Sequence, residues 1–599
     1  MIKSCQNPDF GIAQCFTIWY DKKKTEVKIV RLQINESKNA ASFYVVKSIS
    51  EKGKRTNKVV EKLGTQAELE RKLVGKAPIE WAKEYVAELT RKEKEQEREV
   101  LIKYSPKKSI EKNEQRSYNG GYLFLQKIYY ELKLDKICKT IKSKYNFEYD
   151  LNSIVSRLLY SRIIYPASKH ATNQLSERFI EAPKFELHHI YRALEVISKE
   201  TEYIQSELYK NRVSLTRQKS KILYYDCTNY FFEIEQEEGL KQYGISKEHR
   251  ANPIVQMGLF MDGEGIPLAF NINSGSTNEQ TTLKPLEKQI LSDFGLDKFV
   301  VCTDAGLTSK ANRKFNDMGG RAFITTQSVK LLKSYLKEWA LNPQGWKICG
   351  DNKIYDISKK DEEQDKDKIY FKETWINDDE IEQRLIVTFS LKYRDYQRNI
   401  RNSQIERAQK VIDTNPTKLK KANQNDYKRF ITKTSCTKEG EVADKEIYSI
   451  NTDVIASEER YDGFYGVCTN LEDDVNHIIK INKRRWEIEE SFRIMKSEFK
   501  ARPVYLKRDD RIIAHFTTCF ISLIIYRLLE KRLGEKYTAH EIIDGLRIFS
   551  FYSIKGEGYI PTYTRTDFTD DLHDVFGFRT DFQIVNNLYM KNIFKITKS

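Results

Sequence analysis

The order of strand-like and helix-like segments between Lys221 and Thr326 constrains the fold more than any other feature of the chain. Three strand patterns come first, and a helix, a strand, a second helix and a further strand follow them. The strand patterns are ILYYDCTNYFFE, PIVQMGLFM, IPLAFNINS, KFVVCT and RAFITT. The turn Asp262-Gly263-Glu264-Gly265 joins the second strand to the third as a hairpin. This order predicts a mixed sheet in which antiparallel strands continue into parallel ones.

The same order is that of a ribonuclease H-like fold, so the predicted fold class is α/β with a mixed-sheet core. In this topology the fourth strand is adjacent to the first. Asp226 lies in the first strand and Asp304 directly follows the fourth. Carboxylates on neighbouring strands repel each other unless a cation lies between them, and a divalent metal ion is the usual solution. One aspartate at a strand end usually only forms a turn, so the predicted metal site depends on the pair.

A third acid is carried by the segment Ile481–Lys500, which is predicted to form a single helix with two distinct faces. One face is an apolar stripe that predicts burial: Ile488, Phe492, Met495 and Phe499. The adjoining stripe combines one carboxylate with three cations: Arg485, Glu489, Arg493 and Lys496. This arrangement suits a carboxylate that ligates a metal beside cations that hold phosphate. The alternative is a solvated helix face with ordinary pairs between glutamate and arginine.

The net charge indicates a polyanionic partner. The chain has 102 Lys and Arg against 86 Asp and Glu, a balance of +16, and it has 35 Tyr and 30 Phe for stacking. Nucleic acid is the partner that such a composition favours. A soluble basic protein without such a partner remains the alternative.

The cysteines and the apolar segments predict a cytoplasmic protein without a membrane partner. Nine cysteines are scattered, without any C-x-x-C pair, which argues against both a disulfide framework and a zinc site. No signal peptide pattern opens the sequence. The most apolar run, Phe516–Leu529, is short and contains Arg527, so we expect a buried helix rather than a membrane span.

Changes in sequence texture divide the chain into seven predicted regions. They are a small β domain at 1–66, a charged helical linker at 67–117, a helical candidate for DNA binding at 118–215, the first part of the mixed-sheet core at 216–330, a β-rich insertion with a basic helix at 331–466, the second part of the core at 467–535, and a tail at 536–599. The tail suggests no function beyond packing.

The insertion contains a long polar helical run from Tyr396 to about Phe430, with a predicted break at Pro416. Its cations predict a clamp along a DNA backbone, where each phosphate contact adds to the salt dependence of binding. The candidate contacts include Arg398, Arg401, Lys420 and Lys421. A solvated charged face is the alternative interpretation.

With Asp226, Asp304 and Glu489 identified, the chain resembles the DDE transposases of bacterial insertion sequences. It is most similar to the insertion-sequence-4-like group, whose third acid lies in a Tyr-x2-Arg-x3-Glu-x6-Lys signature after a β-rich insertion. The similarity extends from about Tyr225 to Leu533. It includes Asp226-Cys227-Thr228, Gly275-Ser276-Thr277-Asn278, Asp304-Ala305-Gly306, Tyr461-Asp462-Gly463-Phe464-Tyr465 and Ile512-Ile513-Ala514-His515.

The signature spacing gives Asn482, Arg485, Glu489 and Lys496 in this chain. The tyrosine of the signature is replaced by Asn482, which implies that a contact to the transposon-end DNA is weakened or rebuilt. The resemblance implies that Arg485, Arg493 and Lys496 hold phosphates next to the scissile bond. It also implies that the region before the core binds the transposon ends.

The resemblance further implies an activity and its cofactor. Asp226, Asp304 and Glu489 would bind two Mg²⁺ ions, which Mn²⁺ would replace, and hydrolysis would free 3′-hydroxyls that then attack target DNA. A homodimer on paired ends, in the bacterial cytoplasm at the nucleoid, is expected. Two alternatives remain open: a metal-dependent nuclease of the same fold, and a domesticated DNA-binding protein that performs no chemistry.

Overall fold

The computed structural model describes residues 30–37, 40–51, 54–73, 77–96, 100–102, 104–216, 221–296, 298–378, 380–414, 426–436 and 442–599. The chain divides into two compact units, Met1–Glu114 and Gln115–Ser599.

The first unit contains a small antiparallel sheet followed by helices. Its strands pair in the order β1-β2-β3. The elements are β1 (Val30–Ser37), β2 (Ala40–Glu51), β3 (Lys54–Thr65), α1 (Gln66–Lys72) and α2 (Pro78–Gln96). Thr65 caps α1 through a capping box with Glu68, which explains why the helix begins directly after the strand. The alternating pattern predicted this sheet, and its predicted portion before Val30 lies outside the described residues.

The second unit begins with a short strand and a group of helices. They are β4 (Ser117–Asn119), α3 (Tyr122–Glu131), α4 (Leu134–Lys144), α5 (Leu151–Ile164), α6 (Lys169–Ser176), α7 (Leu187–Lys199) and α8 (Thr201–Thr216). Their apolar faces share one core with the central sheet and with later helices of the same unit. Helical packing of this kind agrees with the wide apolar faces in the sequence.

The central sheet follows the predicted order of elements. The elements are β5 (Ile222–Phe231), β6 (Ile254–Asp262), β7 (Pro267–Ser274), α9 (Leu283–Asp293), β8 (Val300–Thr303), α10 (Lys310–Asn316) and β9 (Ala322–Gln327). In space the strands lie in the order β7-β6-β5-β8-β9. The pairs β7-β6 and β6-β5 are antiparallel, whereas β5-β8 and β8-β9 are parallel. The predicted mixed sheet is therefore confirmed.

The insertion adds strands to the same sheet. Its elements are α11 (Ser334–Leu341), β10 (Trp346–Ile348), β11 (Asp351–Tyr355), β12 (Tyr370–Asp378), β13 (Ile381–Phe389), α12 (Leu391–Thr414), β14 (Ile431–Cys436), β15 (Val442–Ile450), α13 (Thr452–Glu459) and β16 (Phe464–Thr469). Strand β16 pairs with β9 and continues through β13, β12, β10 and β11 to give ten strands. The pair β14-β15 forms a separate hairpin.

The remaining elements cover the sheet and close the unit. They are α14 (Val475–Lys483), α15 (Trp486–Arg493), a π-helical turn (Ile494–Glu498), α16 (Asp509–Arg532), α17 (Ala539–Ile548), β17 (Ser550–Ile554), β18 (Gly558–Pro561), α18 (Asp567–Phe576), β19 (Val585–Asn586) and α19 (Asn587–Thr597). The predicted tail is thus folded, and its strands join β4 in a four-stranded sheet, β19-β18-β17-β4.

Helix α16 is the buried helix that the sequence predicts. Among the described residues, it is the one helix that is long and apolar enough to cross a membrane. However, 94% of its apolar window is buried inside the protein. Its neighbours include α5 and α7, so its apolar surface is already used in packing.

A buried carboxyl group on α9 makes stability depend on pH. Glu287 is fully buried and accepts a hydrogen bond of 2.7 Å from Asn316 Nδ2. Burial raises its pKa to about 7. The folded protein therefore keeps a proton that the unfolded chain releases near pH 4.5, and stability falls as the pH rises between these values.

We predict that Glu287→Gln removes most of this dependence. The gain in stability over the parent protein should grow from about pH 5 to about pH 8, up to about 3 kcal/mol. Thermal unfolding at both pH values tests this prediction. Glu338→Gln is the control, because Glu338 is an exposed glutamate on α11. An equal shift at both pH values would contradict the prediction.

Candidate active site

Two aspartates lie at the same level of two adjacent parallel strands, Asp226 within β5 and Asp304 directly after β8. Strand β5 pairs with β8 in the register Ile222↔Val300 through Tyr224↔Cys302. Asp226 and Asp304 each follow the last pair by two residues, so they lie at the same level. Since side chains alternate between the faces of a strand, both carboxylates are on the face that carries Tyr224 and Cys302.

Helix α14 covers this face of the sheet. Tyr224 Oη donates a hydrogen bond of 2.9 Å to the Ile481 carbonyl, and Cys302 Sγ lies 3.7 Å from Asn482 Oδ1. Further along β5, Tyr230 Oη donates to Met495 Sδ at 3.7 Å. The segment between these contacts therefore passes over the part of β5 that contains Asp226.

The prediction of one unbroken helix over Ile481–Lys500 is wrong. Helix α14 ends at Lys483, and α15 starts at Trp486 and passes into a π-helical turn. At the break, the Ile481 carbonyl accepts from Arg484 N, and the Asn482 carbonyl accepts from Arg485 N, so three-residue spacing replaces the α-helical spacing. Tyr224 Oη also donates to the Ile481 carbonyl, and the helical period of the sequence does not predict this contact.

The apolar stripe of this segment is buried as predicted. Its four members are between 0% and 5% exposed: Ile488, Phe492, Met495 and Phe499. Burial of this stripe fixes the rotation of α15 about its axis. The polar stripe next to it is therefore turned toward the edge of the sheet where the aspartates lie.

The cations of the polar stripe contact Asp304 and lie near Asp226. Arg485 Nη2 lies 3.5 Å from Asp304 Oδ1. Lys496 lies 5.5 Å from the centre of the Tyr230 ring, and Asp226 is among the charges that act on its ammonium group. Glu489 lies between these cations on the helix, is exposed, and has no hydrogen bond or ion pair with the described residues.

The three acids do not form a compact cluster. Within the described ranges, one group of three His, Cys, Asp or Glu residues has all its ligand atoms within 4.8 Å, and it consists of Asp570, His573 and Asp581. The predicted acids are spaced more widely. A two-metal centre also needs a wider span, since its ions are about 3.5–4 Å apart.

The group around His573 is a poor metal site. Arg579 Nη2 contacts Asp570 at 3.0 Å and Asp581 at 2.8 Å, and Arg565 also pairs with both. A metal ion would therefore have to displace two guanidinium groups. By contrast, no described arginine or lysine pairs with the Glu489 side chain.

The environment of Asp226 favours a bound cation. Burial raises the pKa of Asp226 to about 6, which reflects the cost of holding this carboxylate in a charged form. Three groups lower the pKa of Asp226. Lys247 has the largest effect, followed by the Cys227 N–H, which donates to Asp226 Oδ1 at 2.7 Å, and by Arg485. Asp304 raises the pKa of Asp226 further. A metal ion between the two aspartates would offset both the burial of the Asp226 carboxylate and its repulsion by Asp304.

The predicted phosphate-binding cations differ in exposure. Arg493 is 71% exposed and pairs with Glu490 at 3.2 Å. The Lys496 side chain is 14% exposed and pairs with Glu248 at 3.3 Å. Burial lowers the pKa of Lys496 to about 8. Arg485 is held on Asp304, so it lies in the site itself.

The other residues predicted to bind DNA differ in their surroundings. Asn482 is 7% exposed and donates to Tyr465 Oη at 3.0 Å. Arg401 on α12 is 5% exposed and makes two bonds of 2.7 Å to Asp462. Both are committed to partners inside the protein, so we leave them out of the proposed DNA-binding surface. Arg398 is half-exposed, 3.5 Å from Asp462. Lys420 and Lys421 lie outside the described residues.

Sequence spacing did not point to two residues that lie beside the site. Lys247 Nζ donates to the Cys227 carbonyl, next to Asp226, and Glu248 pairs with Lys496. Both lie in the long connection between β5 and β6. The charged run Lys247-Glu248-His249-Arg250 was the one available signal, and it matches no catalytic spacing.

Arg527 of α16 supports the Glu489 helix from behind. Its guanidinium is buried and donates to Ser491 Oγ at 2.9 Å and to Glu530 Oε2 at 2.6 Å. It also lies 3.3 Å from Glu490. This network anchors α15 opposite to its polar stripe.

We predict that Arg527→Met lowers stability by about 3–5 kcal/mol, because Glu530 is left buried without its partner. Thermal unfolding measures the loss. Arg493→Ala is the control, since this exposed side chain should change stability by about 0.5 kcal/mol or less. Equal losses in the two variants would contradict the assigned role of Arg527.

Comparison with known proteins gives one family match. Residues 231–525 match the family model described as transposase DDE domain. This range contains Asp304 and Glu489 and begins shortly after Asp226. Comparison with curated proteins gives no match.

Among solved structures, the cryo-EM structure of a piggyBac transposase synaptic complex with hairpin DNA is similar at a TM-score of 0.34 and 8% identity. The alignment covers 81% of this chain and 88% of that chain. The family match, together with the paired aspartates, supports a DDE transposase.

Proposed function

We propose that the protein is a metal-dependent DDE transposase of the bacterial insertion-sequence-4-like group. It binds the inverted-repeat ends of its element, hydrolyses the DNA to free 3′-hydroxyls, and joins them to target DNA. The observation that carries this proposal is the pair Asp226 and Asp304, level with each other on parallel strands and facing the helix that carries Glu489.

The residues fit a divalent metal centre. Asp226, Asp304 and Glu489 offer carboxylate oxygens, the ligands that Mg²⁺ prefers and that Mn²⁺ also accepts. Bound Mg²⁺ would supply activation of the attacking oxygen and stabilisation of the leaving oxygen. The raised pKa of Asp226 supports this fit, and so does Glu489, whose side chain has no ion pair among the residues that the structure describes.

The cations of the polar stripe orient the DNA. Arg485 offers a bidentate guanidinium beside Asp304, whereas Lys496 offers a single charge near Asp226. Arg493 extends this surface into solvent. These groups would hold phosphates on both sides of the scissile bond, so that the attacking and leaving oxygens are in line.

The sheet order supports a ribonuclease H-like core. The order β7-β6-β5-β8-β9, with the last three strands parallel, matches the order predicted from the sequence. Strands β16, β13, β12, β10 and β11 extend that core. A homodimer would hold the two ends in one assembly, and the protein would act in the bacterial cytoplasm at the nucleoid.

Strand transfer is the direct test. The protein is incubated with Mg²⁺, a plasmid target and a labelled duplex that contains the junction between the element and its flanking DNA. We expect nicked ends and joined products. Nicks without joining would indicate a nuclease of the same fold, and DNA binding without products would indicate a domesticated binding protein.

We predict that Asp226→Asn, Asp304→Asn and Glu489→Gln each lower cleavage and joining by at least about a hundredfold, while DNA binding is kept. Each change keeps the side-chain size and removes one ligand charge. Asp317→Asn is the control, because it makes the same change outside the three predicted ligands, at a residue that ends α10 and accepts a hydrogen bond of 2.8 Å from Asn470 Nδ2. Full activity in Glu489→Gln would show that this carboxylate is not part of the site.

We also predict that DNA binding weakens steeply with salt, because phosphate contacts release counterions. Arg493→Ala should reduce the slope of log affinity against log salt by about 0.9, the value for one phosphate contact. Fluorescence anisotropy over a salt series measures the slope. A flat response in the parent protein would contradict binding through the polar stripe.

A further inference from the structure

The connection between β5 and β6, residues 232–253, is fixed against the sheet beside Asp226. Asn229 Nδ2 donates to the Ile245 carbonyl at 3.0 Å. The backbones of Gln242 and Ile254 exchange hydrogen bonds of 3.2 and 2.9 Å. A Cβ atom on Gly244 would lie 1.9 Å from the Gly275 carbonyl oxygen, so only glycine fits this approach. The connection therefore holds its side chains in defined positions.

Lys247 is a side chain of this connection that reaches the backbone next to Asp226. Its Nζ donates to the Cys227 carbonyl and lies 3.2 Å from Glu279 Oε1. Of the charged groups that shift the pKa of Asp226, Lys247 has the largest effect and lowers it. Its side chain is 40% exposed, so a ligand in the site can reach the ammonium group.

Glu248 connects the same segment to the end of the Glu489 helix. Its Oε1 lies 3.3 Å from Lys496 Nζ and also contacts Arg502, and its Oε2 lies 3.8 Å from Arg250 Nε. One carboxylate thus holds three cations. Lys247 of the connection and Lys496 of the Glu489 segment therefore both lie near Asp226, although they belong to separate elements.

We propose that Lys247 is a further catalytic residue, which contacts the scissile phosphate next to Asp226, and that Glu248 positions Lys496 for the neighbouring phosphate. This inference rests on the proposed function. Negative charge develops on the phosphate oxygens during transfer, and a fixed ammonium group beside them stabilises it. The reaction itself is unchanged, since Lys247 forms no bond and transfers no proton.

A structural role for Lys247 is the competing explanation, because its ammonium group also tethers the connection to β5. The two roles differ in one respect. A tether acts through the fold, whereas a phosphate contact depends on the charge of one DNA oxygen. A DNA substrate with a neutral methylphosphonate at the scissile position separates them.

The experiment compares Lys247→Met and Lys247→Arg with the parent protein. Lys536→Met is the matched control, because this exposed lysine pairs with Asp571 at 3.0 Å in the C-terminal region, to which no DNA contact is assigned. We expect Lys247→Met to lower cleavage by about a hundredfold and to reduce the salt slope of binding by about 0.9. Lys247→Arg should restore part of the rate, and Lys536→Met should match the parent protein.

The methylphosphonate duplex gives the decisive readout in binding. The difference in affinity between the parent protein and Lys247→Met should disappear on this duplex. A difference that persists on the neutral duplex, or parental cleavage by Lys247→Met, would overturn the inference while the proposed function stands. A parent protein that neither cleaves nor joins DNA would overturn the proposed function, and this inference with it.

The role of Glu248 has its own readout. Glu248→Gln keeps the shape of the side chain but releases the charge that holds Lys496 and Arg502. We expect cleavage to fall about tenfold or more, with thermal stability close to that of the parent protein. Cleavage at the parental rate would overturn the positioning role.

Discussion

The parallel pairing of β5 with β8 is the constraint on which the site depends. It places Asp226 and Asp304 at one level and on one face. Asp304 raises the pKa of Asp226, as a like charge does, and cations from separate elements oppose this cost: Arg485 from the start of α15 and Lys247 from the β5–β6 connection. The negative charge of the two aspartates also makes the pair suited to bind a divalent ion.

The Glu489 helix is supported on its buried side. Its apolar stripe is buried against β5, and Arg527 holds Ser491 from α16. The Glu489 side chain makes no hydrogen bond or ion pair with the described residues. Rigid support behind a free carboxylate is the arrangement expected of a ligand that is placed in advance.

Much of the core could be predicted from the sequence because its signals are local. Alternation and apolar runs identify β5 to β9, and helical period identifies the buried stripe of α15. The break before Trp486 could not be predicted from the helical period, and at the break the Ile481 carbonyl accepts a tertiary hydrogen bond from Tyr224 Oη, 257 residues away in the sequence. The burial of Arg401 depends on Asp462, which is distant in sequence, and a charged run gives no sign of it. Lys247 was not predicted either, because its place beside Asp226 depends on a contact with the Cys227 carbonyl of another segment.

The central claim is that three acids distant in sequence bind metal together. Anomalous diffraction from crystals of the protein with Mn²⁺ and end DNA tests it most directly. The account predicts manganese peaks between Asp226 and Asp304, with a carboxylate oxygen of Glu489 among the ligands. Manganese bound without Glu489, or bound only at Asp570, His573 and Asp581, would contradict it.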